Sequence, residues 1–169
     1  MAITLKSFLS RPETALPPPW DTGRAIDEIL RLQAQNGGAS FNLYFGNLAG
    51  ERLYTVSVFP ERSYRIPAKE IDREELGLFL LRNQDLLADP RCCIGAWYSD
   101  ETGQTYLDVC VAVPDKRDAA SLGMRYNQEG VFDLFRMEFI PTGGTGEPLE
   151  KMDPERERLP PLIRRRRKQ

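Results

Sequence analysis

A chain of 169 residues is long enough to bury a core and has the length of one domain of about 100 to 150 residues plus tails. With 41 % hydrophobic and 28 % charged residues it is too apolar to be wholly disordered, and no apolar run approaches the roughly 20 residues that span a bilayer. Histidine is absent, which removes the usual general base near neutral pH and the Ser-His and Cys-His nucleophile pairs. The formal charge of −2 is unevenly placed. Residues 147–169 hold eight basic and five acidic side chains, so the tip is basic at +3 and residues 1–146 are acidic at −5.

The opening segment lacks a secretory apolar region, and a cytoplasmic location is expected. Pro17, Pro18 and Pro19 favour extended backbone, so residues 1–19 are read as an extended N-terminal arm outside the core. A helix is expected after them, with Asp21 as N-cap, Trp20 and Ala25 as a hydrophobic staple, Ile26, Ile29 and Leu30 on one face, and Gly37 at its end. Phe41, Leu43 and Phe45 then alternate with Asn42 and Tyr44, and Tyr54, Val56 and Val58 repeat the pattern, which predicts a β-hairpin. A short strand at Ser63–Ile66 follows.

Asp72 with Glu75 makes a variant capping box, and Leu76, Phe79, Leu80, Asn83 and Leu87 follow at helical spacing until Pro90. The order then repeats: strand Cys93–Tyr98, a turn through Gly103, strand Thr105–Val113, and a helix capped by Asp115 with Ala119, Leu122, Gly123 and Tyr126 inward. Gly130 is expected to leave that helix in a left-handed conformation, and Val131–Ile140 to return as one strand. These elements predict an α+β fold: an antiparallel sheet of five to six strands with three helices on one face, in the order α-β-β-(β)-α-β-β-α-β. The domain spans 20–146, Gly143–Gly146 form a flexible exit, and 147–169 read as a charged, Arg-rich disordered tail.

Cys92, Cys93 and Cys110 are odd in number and fit buried hydrophobes better than a disulfide framework, and without histidine they make no standard zinc site. No cofactor or metal is expected. Gly143–Gly146 lack the lysine and following helix of a phosphate loop. Asn127 and Gln128 are candidates for recognising an amide or base edge, beside their commoner role in capping a helix end. Asp108 and Asp133, on alternating strand positions, could approach each other across a ladder as a carboxylate pair. Arg164, Arg165, Arg166, Arg167 and Lys168 form a cationic cluster suited to phosphates.

From Tyr106 onward, the residues Tyr106-Leu107-Asp108-Val109, Ala119, Asn127-Gln128, Phe132-Asp133-Leu134 and Ile140-Pro141-Thr142-Gly143-Gly144-Thr145-Gly146 resemble a family of small, uncharacterised bacterial proteins found on phages, plasmids and scattered chromosomes. The resemblance covers about a quarter of the chain and implies a bacterial, mobile-element setting; it implies no activity, cofactor or catalytic residue.

The leading expectation is therefore a non-enzymatic adaptor or accessory protein that docks on a larger protein assembly, with Tyr44, Tyr54, Trp97, Asn127 and Gln128 as candidate contact residues. The alternative is a nucleic-acid-associated protein using the Arg-rich tail. A carboxylate enzyme with Asp108 or Asp133 as base is the third reading.

Overall fold

The computed structural model describes residues 3–11 and 14–148. The described residues form an α+β fold with five α-helices, a short 3-10 turn and an eight-stranded antiparallel sheet. In order these are α1 (Leu5–Ser10), α2 (Thr22–Asn36), β1 (Gly38–Asn42), β2 (Gly46–Asn47), β3 (Tyr54–Ser57), the turn Pro60–Arg62, β4 (Tyr64–Ile66), α3 (Arg73–Arg82), α4 (Gln84–Leu87), β5 (Cys92–Ser99), β6 (Gln104–Val113), α5 (Lys116–Arg125), β7 (Gly130–Asp133) and β8 (Glu138–Pro141). The strands lie in the order β2-β1-β5-β6-β3-β7-β8, with β4 on the same edge of β6 as β3.

The long β5–β6 hairpin is the centre, pairing from Cys92↔Val111 to Ser99↔Gln104. It separates two strands that the alternation suggested would pair. β1 runs against β5, and β3 runs against β6, so the expected hairpin of 41–45 with 54–58 does not form. Alternation assigns each residue to a face and says nothing about which strand lies beside it. Most face assignments hold: Phe41, Val56, Ile94, Leu107, Val109, Val111 and Val113 join one core with Ile26 and Ile29 of α2, Leu76 and Phe79 of α3, and Ala119 and Leu122 of α5. Phe45, expected to share a face with Phe41 and Leu43, lies in the turn after β1 instead and packs against the core on the other face of the sheet.

The caps form where expected. The side chains of Asp21, Asp72 and Asp115 accept backbone N–H groups at the starts of α2, α3 and α5, and Gly37 ends α2 with φ 73. The helix expected from Leu76 to Leu87 is broken at Asn83, whose side chain donates to the Phe79 carbonyl at 2.9 Å while its backbone leaves the helical region. Gly130 does not carry the left-handed turn after α5; Asn127 does, at φ 54, and Gly130 already belongs to β7. The single strand expected over 131–140 is two strands, because the Asp133 carboxylate accepts the N–H groups of Phe135 and Arg136 and Met137 takes φ 56, which turns the chain back on itself.

The opposite face of the sheet is covered as well, and by the segment expected to be an extended arm. Residues Leu5–Ser10 form a helix with a reciprocal cap: Ser7 N–H donates to Thr4 Oγ1 and Thr4 N–H to Ser7 Oγ, both at 3.1 Å. Its Leu5 and Phe8 are buried against Leu48, Leu53, Cys93, Cys110, Ala112 and Leu134. The backbone N–H groups of Leu5 and Lys6 donate to the Glu51 carboxylate, yet burial dominates and raises this carboxyl above its ordinary 4.5. A raised acid holds its proton more tightly when folded, so stability falls as pH rises from 4.5 through the raised value. Glu51→Gln is expected to flatten that slope in urea titrations made at a series of pH values, while Glu28→Gln on α2 leaves it in place, because Arg31 lowers the Glu28 carboxyl and its contribution falls below 4.5.

Candidate functional site

The second face of the sheet is only partly covered by α1, and the uncovered part carries a row of side chains set by the strand register. Arg65 on β4 is opposite Tyr106 on β6, which is opposite Trp97 on β5, which is opposite Gly38 on β1. The Trp97 and Tyr106 rings stack at 4.5 Å with 11° between their planes, and the Arg65 guanidinium sits 5.4 Å from the Tyr106 centroid. Trp97 remains 41 % exposed. Two residues along β6, Asp108 accepts the Ser63 hydroxyl. Burial pushes the Asp108 carboxyl up, opposed by hydrogen bonds from Ser63 and Trp97 and by the charge of Arg65.

Asp133 does not join Asp108. Its ladder partner Tyr54 pairs with Val113 on the helix-covered face, whereas Asp108 is on the face of Tyr106 and Cys110. The carboxylate pair that the sequence suggested is therefore split across the sheet, with Asp133 serving the β7–β8 turn. Among the described residues no group of three or more Cys, Asp or Glu side chains is placed to hold a metal ion. All three cysteines are free and buried; burial pushes the Cys93 thiol up to about 12 and raises Cys92 and Cys110 as well, which leaves them protonated and unreactive at neutral pH.

A second exposed surface lies at the far end of the sheet. Among the described residues β8 pairs with β7 alone, and Phe135, Met137 and Phe139 of this hairpin are 51 %, 53 % and 57 % exposed. Arg52 stands 4.6 Å from the Phe135 ring centroid. The sequence carried a signal for this patch, since Phe135, Met137 and Phe139 alternate with Arg136 and Glu138, but a single strand over 131–140 gave no reason to place them in solvent.

The remaining contact candidates hold the fold together. Tyr44 donates its hydroxyl to the Ala88 carbonyl at 2.8 Å, and Tyr54 packs partly buried on the helix-side core. Gln128 is buried with its amide on the Tyr126 carbonyl. Asn127 binds the exit segment: its Nδ2 donates to Thr145 Oγ1 at 2.7 Å and its Oδ1 accepts the Thr145 N–H. Thr142, Gly144 and Gly146 donate their N–H groups to the carbonyls of Glu129, Gln128 and Asn127 in turn. The GGTG run is thus seated on the end of α5, and the two stretches that carry the family resemblance, 127–128 and 140–146, form one structural unit. Arg164, Arg165, Arg166, Arg167 and Lys168 lie outside the described residues.

No protein-family model, curated protein or solved structure matches the chain. No helix among the described residues is long and apolar enough to cross a membrane.

Proposed function

We propose that the protein is a non-enzymatic accessory protein of a bacterial cytoplasm that docks on a larger protein assembly, and that the β7–β8 edge is its docking surface. The observation that carries this reading is the coincidence of an edge strand, Glu138–Pro141, whose outer side meets no other strand among the described residues, with three large apolar side chains more than half exposed around it. An edge strand offers backbone donors and acceptors to an incoming strand, and apolar side chains beside it supply burial on association. The resemblance of 106–146 to phage- and plasmid-associated proteins supports seeking the partner among proteins encoded beside this one.

Phe139 is exposed, so Phe139→Lys is expected to change stability by no more than about 0.5 kcal/mol. As an anchor of an interface it is worth about 2 kcal/mol or more, which lowers partner affinity roughly thirtyfold. Capture from the source cell with the tagged full chain, followed by titration of the captured protein, measures this. Equal affinity of wild type and Phe139→Lys, or recovery of free monomer alone, counts against the reading.

A second reading, nucleic-acid contact through the tail, is favoured by the exposed Trp97 stacked on Tyr106 with the Arg65 guanidinium over the Tyr106 ring. If the five tail cations each engage a phosphate, the log-log salt slope on duplex DNA is about −4 to −5. Affinity unchanged when those five are neutralised eliminates it.

A further inference from the structure

Cys92 and Cys93 are neighbours in the chain and lie in different cores. Strand alternation sends Cys92 to the core beneath α2, α3 and α5, and Cys93 to the core beneath α1, where Cys110 also lies. Cys93 and Cys110 are direct register partners across the β5–β6 hairpin. The Ala112 N–H donates to the Arg91 carbonyl at 3.2 Å, two residues along the same ladder, so Cys93 and Cys110 form a pair of the kind that exchanges both backbone hydrogen bonds. Such a pair holds its Cα atoms about 5.5 Å apart, inside the range of about 4.4–6.8 Å that a disulfide spans. Room for the sulfurs comes from Gly95. A Cβ built there would stand 3.0 Å from Cys110 Sγ, so the Cys110 thiol leans along the hairpin over Gly95, and rotation about its Cα–Cβ bond carries the sulfur toward Cys93. The pair is covered by Leu5 and Phe8 of α1, which leave Cys93 0 % and Cys110 8 % exposed. A six-residue helix opens more readily than the central hairpin beneath it.

We infer that Cys93 and Cys110 are a reversible redox pair, bridged across the β5–β6 hairpin by exchange with a small-molecule disulfide when α1 lifts from the sheet. Cys110, the less buried of the two, reacts first: its thiolate attacks one sulfur of the small disulfide, a mixed disulfide forms on Cys110, and the first small thiolate leaves. The Cys93 thiolate then attacks Cys110 Sγ and expels the second. The two thiol protons pass to the two departing thiolates, so the protein pair is oxidised by two electrons and the small disulfide is reduced to two thiols. Cross-strand Cβ atoms stand about 4.5–5.5 Å apart and those of a disulfide about 3.5–4.5 Å, so closing the bridge draws β5 and β6 together. A bridge under that tension is readily reduced, as regulatory disulfides are and structural ones are not. With α1 seated, burial keeps both thiols protonated and out of reach, and the seated helix holds the pair reduced. Cys92 takes no part, because it faces the other core.

The test incubates the reduced full chain with excess oxidised glutathione, alkylates the remaining thiols at intervals and maps the products by mass after cleavage at Tyr98 and Tyr106, which separates Cys93 from Cys110. The expected product is a peptide pair joined through Cys93 and Cys110, with Cys92 alkylated, no glutathione retained, and both thiols restored by dithiothreitol. Cys92→Ala is expected to bridge as wild type does. Thr4→Ala removes the α1 cap from an exposed position and is expected to bridge about fivefold faster, the effect of one lost N-cap on the opening of a helix. A Cys92–Cys93 bond, a link between two chains, glutathione retained on Cys110 beside a free Cys93, or no bridge in either protein overturns the pair. Equal rates in wild type and Thr4→Ala, or a rate that rises with urea as steeply as global unfolding does, overturns α1 as its gate. None of these measurements involves the β8 edge, so this inference and the docking proposal fail independently.

Discussion

Phe8→Ala is expected to destabilise the protein by roughly 3–5 kcal/mol, the cost of deleting a large aromatic ring from a site that cannot collapse. Phe8 is 1 % exposed, tilts against Phe45 at 5.8 Å between ring centroids, and helps roof the second core over Cys93 and Cys110. A six-residue helix has no stability of its own, so α1 stays in place through Leu5, Phe8 and the Glu51 contact rather than through helix propensity. Denaturant unfolding measures the loss. A thiol reagent supplies the local readout: Cys93 and Cys110 are expected to react faster in Phe8→Ala at denaturant concentrations where wild type is still folded. A loss below about 1 kcal/mol with unchanged thiol reactivity would mean that α1 does not cover the sheet.

Gly144→Ala is the second large effect. A Cβ at Gly144 would overlap the Gln128 carbonyl oxygen and the Asn127 carbonyl group, and both are backbone atoms held by the turn after α5. The segment 142–147 must therefore lift away, with loss of the three N–H donations to residues 127–129. The expected cost is about 1–3 kcal/mol, near the upper end because backbone cannot yield as a side-chain tip can. Gly143→Ala provides contrast, because no atom is within 4 Å of its Cβ and the penalty comes from its φ of 84 alone. The two substitutions separate overlap from backbone strain, and equal small losses in both would mean the exit segment is not seated on α5.

Helix caps and face periodicity were legible in the residues because both are local. Asp21, Asp72 and Asp115 each sit where a helix N-terminus needs an acceptor, and the inward residues of α5 are those its spacing indicates. The partnership of β5 with β6 was legible from the turn that joins them, but that of β1 and β3 was not, since the insertion of this hairpin between them is a long-range arrangement to which a four-residue alternation is blind. The helix α1 was legible in part: Thr4 and Ser7 make a capping pair, and Leu5, Phe8 and Leu9 fall on one face. The proline run nearby drew the reading toward an extended arm. A further clue was the unbroken apolar stretch Val109–Val113, which is buried on both faces of the sheet and so requires cover on the side away from α2, α3 and α5.

The surfaces were harder to read for the same reason. Trp97 was identifiable as an exposed aromatic, but its stacking on Tyr106 and the place of Arg65 in that row depend on the register of three strands. Asn127 and Gln128 looked like recognition residues because an amide side chain can read an amide or base edge, but Asn127 is engaged by Thr145, 18 residues further on, and the Gln128 amide donates to the Tyr126 carbonyl. The β7–β8 turn depends on Asp133 taking two N–H groups and Met137 accepting positive φ, which no pattern of hydrophobicity encodes.

Docking through the β8 edge is tested most directly by hydrogen–deuterium exchange of the full chain, alone and with the captured partner. The expected result is slowed exchange at Glu138–Pro141 with the β5–β6 centre unchanged. Slowed exchange confined to other elements, with Glu138–Pro141 exchanging as in the free protein, would contradict it.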